Sequence, residues 1–189
     1  MLMHVLTTWA IAWIDQSMPY FPIEISRTAT GKIGKYYFPA GFVVVGYFLW
    51  IESACCEPRW LKLSPTVGVV LAAIVNDEYH WQTHLFGVFL MYIAILGNVL
   101  YSNLTRDWIL FALATWLLHI SAFLKTVAVL EEPLNWRCWK KNILEERDSF
   151  VDKCMQINYK GEGTKAQLVI YRVTGVCQWV ALGLLINIY

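Results

Sequence analysis

The chain has 189 residues, of which 58% are hydrophobic and 15% aromatic, and its mean hydropathy is +0.47. That is more apolar surface than a soluble domain of this size buries, so the composition marks an integral membrane protein. A net charge of +1 supplies no basic field of the kind nucleic acid demands, which leaves nucleic acid out of the expected partners, and no cofactor is implied.

Six apolar runs follow one another along the chain: Met1 to Ser17, Tyr37 to Glu52, Leu63 to Asn76, Trp81 to Ser102, Asp107 to Leu130 and Gln167 to Tyr189. They predict an all-α, polytopic transmembrane helix bundle with six spans, or five if the short first or third run is re-entrant. Ala10-Ile11-Ala12 fits a small-x-small cleavage site, but no basic residues precede it and Thr7 and Thr8 break the run. A retained span is therefore expected, with a cleaved leader as the alternative. Residues 1–189 read as a single transmembrane domain with an extramembrane loop at 131–165. That loop mixes acids and bases, contains Pro133, Gly161 and Gly163, and has a helical-looking centre at Trp139 to Met155 that suits an amphipathic helix.

The first loop, PYFPIEISRTATG over Pro19 to Gly31, is too polar to cross a bilayer, and its two prolines favour extended, turn-rich backbone. Glu24, Ser26, Arg27, Thr28 and Thr30 set a carboxylate, a guanidinium and three hydroxyls beside the membrane surface. This is chemistry for a lipid headgroup, or simply a solvated loop.

Other polar residues gather near span ends. Asp77, Glu78, His80 and His84 lie between the third and fourth runs, and His80 and His84 share a helix face at i and i+4, a zinc-compatible spacing. Without an H-E-x-x-H arrangement or a nearby cysteine no metal is assigned, and interfacial hydrogen bonding is the plainer reading. His119 lies inside the fifth run, where with Asn98 it is expected to form a buried polar contact between helices, while Lys125 and Arg172 can snorkel. The cysteines Cys55, Cys56, Cys138, Cys154 and Cys177 have no C-x-x-C spacing, though Cys138 and Cys154 would pair if their loop faced an oxidising lumen and turned back on itself. No nucleophile elbow, Walker loop or potassium-channel filter occurs, which weakens enzyme and channel readings and leaves catalysis open.

The short first run followed by PYFPIEISRTATG resembles the DRAM (damage-regulated autophagy modulator) family, whose first loop carries a proline, an Ile-Ser pair and a Thr-Gly-like turn. Here these features correspond to Pro19 or Pro22, Ile25, Ser26, Thr28 and Gly31. Thr83-His84 ahead of Leu85 to Leu90 is similar to that family's histidine at the start of the fourth helix, and Leu71 to Asn76 to its third helix ending at an asparagine-containing turn. The resemblance implies a six-helix protein of endomembranes or the plasma membrane. Such proteins are linked to autophagy, to remodelling of GPI-anchored proteins or to phospholipid organisation, and the family supplies no established catalytic mechanism. It also implies cytosolic termini, which would leave Cys55-Cys56 cytosolic and open to palmitoylation. The positive-inside rule applied to Arg27, Lys32, Lys35 and the bases of the fifth loop would reverse that orientation.

Three functional readings follow. In the first, a lipid-binding or lipid-organising protein holds a headgroup with Glu24, Ser26, Arg27, Thr28 and His84, Glu24 and His84 bounding one pocket because two crossings return the chain to the same side. In the second, a membrane hydrolase or transferase uses Glu24, Asp77, Glu78, His80 and His84 as acid, base or metal ligands. The third is a structural subunit of a larger complex, with tryptophans facing partner membrane proteins.

Overall fold

The computed structural model describes residues 2–15, 25, 31–52, 59–74, 77–130 and 133–188. Among them all regular structure is helical: α1 (Leu2–Ile14), α2 (Gly34–Glu52), α3 (Arg59–Ile74), α4 (Asp77–Ser102), α5 (Thr105–Val129), α6 (Trp136–Lys140), α7 (Arg147–Met155) and α8 (Lys165–Ile186). A π-helical turn, Lys141–Glu145, joins α6 to α7, and a second, Gln156–Lys160, follows α7. The six longest helices fall on the six apolar runs. Three stretches, Gln82–Ser102, Thr105–Val129 and Lys165–Ile186, are long and apolar enough to cross a membrane. At most 28% of the apolar window of any of these three is buried inside the chain, so their outer faces need an apolar surrounding.

Local chemistry fixes where the long helices end. Asn103 takes φ 49°, a left-handed conformation that asparagine tolerates, and turns α4 into α5 within two residues. Gly161 does the same at φ 67° after the second π-helical turn. Thr164 then starts α8 with a capping box: its hydroxyl accepts from the Gln167 N–H at 3.2 Å, and the Gln167 side chain accepts from the Thr164 N–H at 2.8 Å.

Neighbouring long helices run antiparallel. Asp15, just past α1, accepts from the N–H groups of Ile33 and Gly34 at 2.8 and 3.1 Å, tying the end of α1 to the start of α2. In the α3/α4 pair a Cβ on Gly87 would lie 2.6 Å from the Ala72 nitrogen, and one on Gly68 would lie 2.7 Å from Met91 Cα, so only glycine permits this backbone approach. α5 buries Asp107, Phe111, Ala114, Ser121 and Ala128, a stripe at near-heptad spacing. Against it α8 lays Tyr171, Thr174, Ala181 and Leu185.

Three apolar clusters result. Ile95 and Val99 of α4 meet Phe111 and Ala114 of α5 and Ala181 and Leu185 of α8. Ala12 of α1 joins Ala128, Ile157 and Tyr171. Phe38, Phe42 and Ala73 form the third, between α2 and α3, and Ile25 of the first loop packs against it.

The loop between α5 and α8 is largely helical, as its centre suggested, but Cys138 and Cys154 are free thiols rather than a disulfide. Separate contacts hold them: the Asn142 amide donates to the Cys138 carbonyl and sulfur, and the Tyr171 hydroxyl donates to the Cys154 carbonyl.

Candidate functional site: a polar seam met by the first loop

In a largely apolar bundle, Thr174 and Gln178 stand one turn apart on α8, opposite Ser121 and Lys125, one turn apart on α5. The Gln178 amide donates to Ser121 Oγ at 3.2 Å, and Ser121 Oγ points to the Thr174 carbonyl at 3.5 Å. Thr174, fully buried, returns its own hydroxyl to the Tyr171 carbonyl at 2.8 Å. Lys125 Nζ lies 5.7 Å from the centre of the buried Tyr171 ring, within reach of a cation-π contact. Nearer the loops, the Gln167 amide donates to the Ala128 carbonyl at 2.9 Å. Interhelical hydrogen bonds of this kind satisfy polar groups that lipid cannot.

Ile25 of the first loop meets this seam. The Ile25 N–H donates to Gln178 Oε1 at 3.1 Å while its side chain packs against the Phe38, Phe42 and Ala73 cluster. Gln178 thereby uses both ends of its amide, the oxygen toward the loop and the nitrogen toward α5. Ile25 thus bridges α2 and α3 on one side and α8 on the other, and reaches α5 only through the Gln178 amide.

The predicted site residues divide. Glu24, Ser26, Arg27 and Thr28 lie outside the described residues, as do Cys55 and Cys56; Glu24 and Ser26 are the chain neighbours of Ile25. Asp77, Glu78 and His80 belong to the first turn of α4, and their side chains lie outside the description. His84, half-buried one turn further on, places Nδ1 2.6 Å from the Ala72 carbonyl of α3. It therefore links α3 and α4, with the carbonyl accepting from Nδ1–H, and it grips α3 one residue before Ala73, a member of the cluster that receives Ile25.

His119 does not make the buried contact expected of it. It is exposed, its Nδ1 stands 2.7 Å from the Thr115 carbonyl of its own helix, and the Asn98 amide likewise donates to the Ala94 carbonyl of its own helix. The reason is register, since His119 is two residues off the Ala114 and Ser121 stripe and so points away from the packed face of α5. Arg172 is exposed, in keeping with snorkelling.

Among the described residues no three His, Cys, Asp or Glu side chains gather as a metal site would require. At the opposite end of the bundle Asp107 is buried; Ser102 Oγ donates to its Oδ2 at 2.7 Å and Arg106 Nε lies 3.5 Å from Oδ1. Arg106 also donates to the Asn187 carbonyl at 2.5 Å, tying the start of α5 to the end of α8.

Sequence reading missed Gln178, Ser121 and Thr174. The available signal was two i, i+4 polar pairs, Thr174 with Gln178 and Ser121 with Lys125, in runs made mostly of apolar residues.

Fold and site together define a protein that is all-helical among the described residues, with apolar helices of membrane-spanning length and an internal polar seam. No family model, curated protein or solved structure matches the chain.

Proposed function

We propose that the chain is a single-domain membrane protein of six spans that binds or organises lipid in the endomembrane system or plasma membrane, in the manner that its resemblance to the DRAM family implies. Catalysis is not needed by this reading. One observation carries it: the first loop enters the bundle at Ile25 and meets Gln178, between helices whose outer faces are apolar. A polar loop anchored among apolar helices suits a ligand that has a polar head and acyl chains. Glu24, Ser26, Arg27 and Thr28 would supply the headgroup contacts, with Arg27 as a bidentate phosphate donor. His84, which shares α3 as an anchor with Ile25, would supply Nε2, because Nδ1 is engaged with Ala72.

The test is phospholipid retained by the purified protein in a mild detergent, with thermal unfolding followed in parallel. Glu24→Ala is expected to lower retention without lowering the unfolding midpoint. His84→Asn, whose amide can still donate to the Ala72 carbonyl, is expected to lower retention while keeping the α3/α4 link. Unchanged lipid content in both variants overturns the proposal.

A further inference from the structure

The segment between α5 and α7 exposes large apolar side chains that a water-facing loop would hide. Leu134 is 101% exposed, Trp136 75% and Leu144 71%. Trp136 opens α6 and Leu144 lies in the π-helical turn that continues it, where the Glu146 N–H bonds the Lys141 carbonyl at 2.8 Å. Because that wider turn rotates less per residue than an α-helix, Trp136, Lys140 and Leu144, spaced four apart, line one face.

Depth is set by a second contact. Trp139 stacks on Phe123 of α5, ring centres 5.9 Å apart at 20°. Phe123 is itself exposed and precedes the end of α5 at Val129 by six residues, or roughly 9 Å of helix rise. The segment therefore folds back along the outside of a span instead of rising away from it. Trp139 Nε1 donates to the Pro133 carbonyl at 2.6 Å, which closes the return turn. The charged groups suit a headgroup layer: Arg137 is exposed, Lys140 and Lys141 stand 3.8 and 3.5 Å from Glu145 and Glu146, and lysine stems can lie along the apolar face with their ammonium groups in water.

We infer that residues 133–145 form an in-plane membrane anchor, a segment seated in the headgroup region of the bilayer around α5 with Leu134, Trp136 and Leu144 dipping toward the acyl chains. Tryptophan beside apolar and basic side chains is the composition such interfacial segments use. The inference rests on α5 crossing a membrane but not on any lipid site at the first loop.

Single nitroxide labels at Leu134→Cys, Trp136→Cys and Leu144→Cys, in full-length protein freed of its native cysteines and reconstituted in phosphatidylcholine bilayers, test it. Labels at Ile120→Cys on α5 and Asp152→Cys on α7 serve as span and water references. Collision with oxygen relative to a water-soluble nickel chelate is expected to be several-fold higher at 134, 136 and 144 than at 152, and below that at 120. Values equal to those at 152 overturn the inference, as does protection from both reagents, which would mean that protein covers this face. A low oxygen ratio at 120 would overturn it as well, by removing the span on which it rests.

Discussion

At the scale of single residues, Gln178 is the side chain on which the site turns. Its oxygen satisfies the Ile25 N–H and its nitrogen reaches Ser121, so Gln178→Leu leaves a part-buried N–H without its acceptor. The expected cost is about 1 to 3 kcal/mol, the desolvation penalty of such a group. Hydrogen exchange should show it as faster exchange at Ile25 with α5 and α8 unchanged, whereas equal exchange in both proteins would contradict the anchoring role. Gln178 escaped notice in the sequence because its i, i+4 pairing with Thr174 takes on meaning only through Ser121, 57 positions away. His119 shows the converse. Its residue type and depth suggested burial, and only the register of the Ala114 and Ser121 stripe turns it outward.

At the scale of elements, the apolar runs located the long helices well because burial and lipid both select for the same residues. The ends were less legible: α4 begins at Asp77 rather than Trp81, since Asp77, Glu78 and His80 continue the helix beyond its apolar part. The prolines and polar cluster mark the first loop as special, but they point to extended, turn-rich backbone where Ile25 is helical, and they do not show the depth of Ile25, which depends on helices distant in sequence. The α3/α4 contact makes a sharper test. Gly87→Leu would drive a branched side chain into the Ala72 backbone, and a loss of about 1 to 3 kcal/mol is expected, as for overpacked cores. A lowered unfolding midpoint in detergent would register it; an unchanged midpoint would mean that the helices do not approach this closely.

For the whole molecule, antiparallel packing sorts the chain into two ends. Asn103 lies at the same end as Asn187, which Arg106 reaches, while Gly161 lies with Gln167 and Ala128 at the other. Cysteines introduced at 103 and 161 should therefore react with an impermeant reagent from opposite sides of sealed vesicles. Reaction of both from one side would overturn the crossing of α5, and the side on which 161 reacts decides between the orientation implied by the family resemblance and that implied by the positive-inside rule. α1, with 13 residues and about 20 Å of rise, is shorter than a hydrocarbon core of about 30 Å, so a crossing there would require local thinning or help from its neighbours.

The bond between Ile25 and Gln178 joins residues 153 positions apart, and this imposes an order on biogenesis. At translation rates of about 5 to 20 residues per second, the loop waits roughly 8 to 30 s on the ribosome before its acceptor is even synthesised. During that interval α1 to α4 can pair, but Ile25 has no Gln178 to receive it, and the Ser121 hydroxyl of α5 lacks its partners on α8. At this stage the nascent chain holds the Ile25 N–H and the Ser121 hydroxyl without the partners that α8 later supplies. Synthesis of α8 supplies a partner to Ile25 and to Ser121 through the one amide of Gln178, so the first loop and α5 are satisfied in a single step late in the chain.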